Sequence, residues 1–73
     1  MTDKQLLAAL RARDDTVIFA KDIAPILHTH ESQIRHMAKN GEWDEERDGE
    51  YILIGNRIKF KRADFVKKWS ARV

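Results

Sequence analysis

Ser32, Gln33, Arg35, His36 and Lys39 fall within one stretch of eight residues, and Asn56, Arg57 and Lys59 within another of four. These side chains are of the types that read or grip nucleic acid. An arginine presents a planar fork to guanine O6 and N7, and a glutamine pairs with adenine N6 and N7. Ser32 and Lys39 suit phosphate oxygens, Arg35 suits a phosphate as well as a base, and His36 serves either purpose. Arg57, with Asn56 beside it, would gain from a narrow minor groove, whose negative potential is enhanced. A plainer reading fits the same residues. They would be a solvated helix face and a solubilising turn, with Glu31 and Arg35 as an ordinary ion pair four residues apart.

Other chemistries find less support. His28 and His30 flank a turn, and no carboxylate stands at a ligand spacing that would join them and His36 around a metal. The acidic run Glu42 to Glu50 lacks the D-x-D-x-D-G order of a calcium loop. Ser32 and Ser70 have no His/Asp arrangement that would make either a nucleophile. There is no glycine-rich phosphate loop, and 73 residues leave little room for a catalytic pocket. The expectation is a non-enzyme without cofactor, metal or small-molecule substrate.

The elements that would position these residues are legible in the apolar spacing. Leu6, Leu7 and Leu10 predict a helix from about Asp3 to Arg13, with Thr2 and Gln5 as a capping box. Thr16 to Phe19 is β-branched and aromatic and reads as a short strand. A second helix covers Lys21 to Leu27, and its Pro25 is tolerated if the helix starts near Asp22. After the turn His28-Thr29-His30, a third helix runs from Glu31 to Asn40, with Ile34, Met37 and Ala38 inward and Gly41 as its stop. Setting Ile34 inward turns the candidate readers outward.

Tyr51 to Ile54 and Ile58 to Phe60 predict a hairpin. A two-residue Gly55-Asn56 turn would place Tyr51 and Leu53 with Ile58 and Phe60. A three-residue turn through Arg57 would pair Ile54 with Ile58 and Ile52 with Phe60; this second register, which gathers the β-branched residues inward, is the expected one. A last helix covers Arg62 to Ser70, with Phe65, Val66 and Trp69 inward. Trp43 and Trp69 read as core anchors.

Composition agrees with one small folded domain over residues 1–73. The chain is 42% hydrophobic and 36% charged, with one proline and no cysteine, so no disulfide can replace its core. No apolar run reaches the ~20 residues of a membrane span, and the first residues do not look like a signal peptide, so a cytoplasmic protein is expected. The net charge of +2 hides a division. Residues 42–50 carry six acids and one arginine, whereas residues 51–73 carry seven Lys/Arg and only Asp64. Such segregation points to a polyanionic partner for the basic part, with Lys61, Arg62, Lys67 and Lys68 as diffuse attraction or a wet helix face.

Helix, three-residue turn, helix and hairpin make the order of a winged helix-turn-helix, an α+β fold, here with an added N-terminal helix. Asp22-Ile-Ala-Pro-Ile-Leu27, Ser32-Gln-Ile-Arg35, Gly41, Ile54-Gly-Asn-Arg-Ile-Lys-Phe60 and Phe65 resemble the excisionase-like branch of small winged-helix proteins, related in fold to the DNA-binding domain of MerR-type regulators. The resemblance spans about residues 16–69. His30 stands where that family has a Ser or Thr helix cap, with Thr29 as the substitute. The resemblance implies a factor that binds and bends double-stranded DNA to direct recombination, with an integrase or copies of itself on adjacent sites as partners. A small transcription regulator on the same fold is the near alternative. A protein-interaction module using the acidic segment 42–50 is the alternative of another class.

Overall fold

The computed structural model describes residues 2–72. They form an α+β domain in the order α1 (Asp3–Arg11), β1 (Val17–Ile18), α2 (Ala20–Leu27), α3 (Glu31–Lys39), α4 (Glu45–Asp48), β2 (Tyr51–Ile54), β3 (Arg57–Lys61) and α5 (Arg62–Ser70). The three strands make one antiparallel sheet, ordered β1-β3-β2. Ile18, Ile23, Ile26, Ile34, Phe60 and Phe65 form the fully enclosed centre of the core. None of the described helices is long and apolar enough to cross a membrane.

Helix α1 starts as its sequence dictates. The Thr2 hydroxyl accepts from the Gln5 N–H, and the Gln5 side chain accepts from the Thr2 N–H. Leu7 and Leu10 are buried, so the helix is part of the core. Its end is closed by Arg62, whose guanidinium donates to the carbonyls of Leu10, Arg11 and Asp15. Such donors satisfy the carbonyls that a helix leaves open.

Helix α2 begins two residues earlier than the proline argument required. The Asp22 carboxylate accepts from the Phe19 N–H at 2.9 Å, which anchors the first turn at Ala20. Pro25 therefore lies inside the helix, and its missing donor is tolerated because Lys21 and Pro25 both face solvent. The turn to α3 is built by His28, which adopts a left-handed φ of +57°. That conformation lets the Thr29 N–H reach back to the Ala24 carbonyl at 3.1 Å. The expected Thr29 cap is not used: His30 is the N-cap of α3 and its ring makes no capping bond. Gly41, at φ +70°, ends α3 as expected, with the Glu42 N–H on the Met37 carbonyl at 2.8 Å.

The hairpin corrects the expected register. Tyr51 pairs with Phe60, Ile52 with Lys59, Leu53 with Ile58 and Ile54 with Arg57. The turn is the two-residue Gly55-Asn56, in which only Gly55 takes a positive φ, +58°. Glycine at the first central position gives a turn whose twist matches that of paired strands, whereas gathering isoleucines inward offers no such match. Tyr51, Ile58 and Phe60 therefore face the core, whereas Leu53, on the same face of the hairpin, lies beyond its edge and is 44% exposed. Phe60 packs against Trp43 at 4.8 Å and Tyr51 at 6.1 Å between ring centroids.

The acidic segment is more ordered than its lack of period suggests. Asp44 accepts from the Glu46 and Arg47 N–H groups and starts the short helix α4. Asp48 is 1% exposed and ties α4 to α5 and to the turn that follows it. Its carboxylate meets Arg47 at 2.8 Å, Arg72 at 3.0 Å and the Trp69 indole N–H at 3.2 Å. Burying a carboxylate is tolerable only with such full partnering. Both tryptophans thus anchor as expected: Trp43 is buried and donates to the Gly49 carbonyl, while Trp69 is partly buried and stacks on Phe65.

Candidate nucleic-acid interface

Ile34 and Ala38 face the core of α3, which fixes the helix rotation expected from sequence. Ser32, Gln33, His36 and Lys39 are exposed, and Arg35 is partly so. At ~100° per residue, Gln33 and Arg35 stand about 160° apart on the helix. They occupy opposite edges of the free face, with Ser32, His36 and Lys39 between. Asn40 Nδ2 lies 2.9 Å from His36 Nε2, so these two side chains order each other.

Arg35 is directed to the hairpin side. A groove of about 380 Å³ there is lined by Phe19, Lys21, Glu31, Arg35, Asn56 and Arg57, with Ala20 and Ile58 in its floor. The fold therefore brings Arg35, Asn56 and Arg57 together from two segments well separated in the chain. Arg35 Nη1 sits 3.2 Å from Glu31 Oε1, the ion pair of the plainer reading. That pair is exposed, so it holds Arg35 only weakly and is easily exchanged for another anion.

Lys59 is separated from this group. Its pairing with Ile52 puts it on the outer face of the hairpin, opposite Ile58 and Phe60, and it does not line the groove. Lys21 and Phe19 are the residues that sequence reading missed. Lys21 belongs to the first turn of α2, and Phe19 precedes it with 42% of its surface exposed. An aromatic with no inward partner just before a helix was the available signal for Phe19. For Lys21 the signal was its place on the solvent side of the first helical turn.

Charge pairing sorts the remaining cations. Lys61 lies 2.5 Å from Glu50, a bond that raises the Lys61 pKa. Arg62 caps α1, and Lys68 donates to the Glu45 carbonyl. Arg47 is engaged by Asp48, which raises its pKa, and Arg13 by Asp15 and Asp22. Among the described residues Lys4, Arg11, Lys21, Lys39, Arg57, Lys59, Arg62 and Lys67 have no carboxylate within ion-pair distance. Lys21 and Arg57 both line the groove. The acids of residues 42–50 are in part consumed internally: Asp44 as a cap, Asp48 in the buried cluster and Glu50 on Lys61. Helix α4 packs on α5, and the cavity beside it is lined by Met37, on the edge of α3 away from Arg35. Among the described residues, no three His, Cys, Asp or Glu side chains gather as metal ligands.

No protein-family model, curated protein or solved structure matches this chain. The likeness to excisionases thus rests on the motifs quoted above.

Proposed function

We propose that this domain is a winged helix-turn-helix that binds double-stranded DNA in a sequence-specific manner. Helix α3 would enter the major groove, which is wide enough for a helix, and the β2–β3 tip would meet the adjacent backbone or minor groove. The observation that carries this reading is the groove in which Arg35, Lys21, Asn56 and Arg57 converge from three elements. Its cations would meet phosphates, while Gln33 and Arg35 at the edges of α3 would read bases. Pairing of β1 with β3 beside the hairpin also fits a winged helix. The favoured role is that of an excisionase-like architectural factor, which bends DNA and directs a recombinase. A small transcription regulator would use the same surface. The internal use of Asp44, Asp48 and Glu50 weighs against an acidic protein-docking loop.

Gel shifts on duplex DNA over a range of salt test the reading. Binding should weaken with salt, and Arg57→Ala with Lys59→Ala should flatten the slope of log K against log salt by roughly 0.9 per lost phosphate contact. An undiminished slope would remove the hairpin from the interface. No binding to any duplex, with full folding, would sink the proposal.

A further inference from the structure

Ile54 is 65% exposed, the highest exposure of the large apolar side chains left on the surface. It is the last residue of β2, next to the Gly55-Asn56 turn, and its cross-strand partner is Arg57. Ile52, 40% exposed, lies on the same face opposite Lys59. Thus the outer face of the hairpin alternates isoleucine and cation across the strands. Neither strand contains an acid. The turn beside it is open at Gly55, where an added Cβ would meet nothing within 4 Å.

We infer that Ile54 is an apolar wedge that enters between base pairs from the minor groove and kinks the duplex. This inference rests on the DNA-binding reading and adds the device by which the domain bends its target. The occupant is argued from charge. A partner that covers Ile54 must also accept Arg57 beside it and Lys59 further along the same face, with no acid on either strand. Duplex DNA supplies phosphates at its rim and apolar base faces within, so it satisfies both halves of the surface. Side chains such as isoleucine unstack a base step in this way and bend the helix toward the major groove. Pyrimidine–purine steps yield most easily and are the expected site of entry.

Ligase-mediated circle formation on random-sequence DNA of about 100 bp tests this, because fragments below the persistence length close poorly unless bent. The protein is compared with Ile54→Thr, which keeps β-branching but loses apolar reach, and with Ile54→Leu, which keeps the wedge. Gel shifts and thermal melts accompany each measurement. The expected result is a gain in circles of about tenfold for the native protein and Ile54→Leu, and a near-complete loss for Ile54→Thr, whose affinity and melting point stay close to native. A 2-aminopurine placed at a TA step should brighten with the native protein and stay dark with Ile54→Thr. Equal circle yields for the native protein and Ile54→Thr would overturn the wedge. So would a loss of affinity proportional to the loss of circles, since Ile54 would then be a binding contact only. Native protein that binds without bending refutes the wedge and leaves the DNA-binding reading intact; absence of binding refutes both. A dimer in sedimentation that Ile54→Thr dissolves would assign the patch to a second copy and end the proposal.

Discussion

The Tyr51 hydroxyl donates to the Ala38 carbonyl at 3.1 Å, joining the first residue of the hairpin to the last turn of α3. This bond ties the hairpin to α3, while the Tyr51–Phe60 contact holds the Tyr51 ring within the hairpin, so the bond helps to set the angle between the two elements. The distance between Arg35 and Arg57 depends on that angle. A groove assembled from two elements is only as well defined as the joint between them.

Tyr51→Phe keeps the ring and deletes the bond. The expected cost is about 0.5–1.5 kcal/mol. In a domain of this size that lowers the melting temperature by roughly 4–8 °C per kcal/mol. DNA affinity should fall as well, because the hairpin is less well fixed. An unchanged melting curve in calorimetry would show that the hydroxyl is equally well served by water.

Arg35 and Glu31 make opposite predictions for DNA. Arg35→Ala should cost ~1–3 kcal/mol on a selected site and less on random duplex, if its fork reads a base. Glu31→Gln removes the local anion that competes for Arg35 and should tighten binding. Both changes should leave stability within about 0.5 kcal/mol, since an exposed ion pair contributes little. Equal losses on selected and random DNA for Arg35→Ala would reduce Arg35 to a backbone contact.

Gly49→Ala should be among the most damaging single-methyl changes. Gly49 holds φ at +105°, and an added Cβ would lie 3.1 Å from the Phe65 backbone N and Cα. The backbone conformation alone costs on the order of 1–3 kcal/mol for an L side chain. Here α5 must also move away from the start of β2. Denaturant unfolding measures this, and a midpoint within error of native would contradict the close approach.

The rotation of α3 was legible in sequence because Ile34 and Ala38 have no polar competitor for the inward face. The cap at Thr2 and the stop at Gly41 were legible because each is a local hydrogen-bond problem with few solutions. The hairpin register differs from the one that the β-branched side chains suggest because turn geometry outweighs side-chain type, and Gly55 decides it. Helix α4 was missed because it is one turn long and carries no apolar period, although Asp44 before Glu45-Glu46 was a cap signal. Asp48 was out of reach altogether, since its partner Trp69 arrives from α5 and Arg72 from the turn that follows it. In the groove, Arg35 could be placed by helical spacing. Its meeting with Lys21 and Arg57 depends on packing that no local pattern encodes.

The pairs Arg13–Asp15 and Lys61–Glu50 set opposite pH limits. Hydrogen bonding to Arg13 lowers the Asp15 pKa, so its contribution is present above the unfolded value and fades as pH falls below about 4. The Glu50 bond raises the Lys61 pKa, so its contribution is present below the unfolded value and fades as pH climbs past about 10.4. Stability from these two pairs should be flat in between. Arg13→Ala should soften the acid limb of a stability–pH curve and leave the alkaline limb alone, with Lys61→Met doing the reverse. An acid limb indifferent to Arg13 would exclude Asp15 as a contributor.

The order β1-β3-β2 also gives the chain a timetable. Strands β2 and β3 meet across a two-residue turn, and such hairpins close within microseconds. Ile18 can pair with Phe60 only after α2, α3 and the acidic segment have been gathered between them, which makes this the loop of greatest closure entropy in the sheet. The pairing of β1 is then a late event, fastened by Arg62 on the end of α1. Ile18→Val is accordingly expected to raise the unfolding limb of a chevron plot and leave the refolding limb in place. Movement of the refolding limb instead would put β1 in the folding nucleus. A late-closing β1 means that the domain would open from its N-terminal side first, with the hairpin and α3 still assembled.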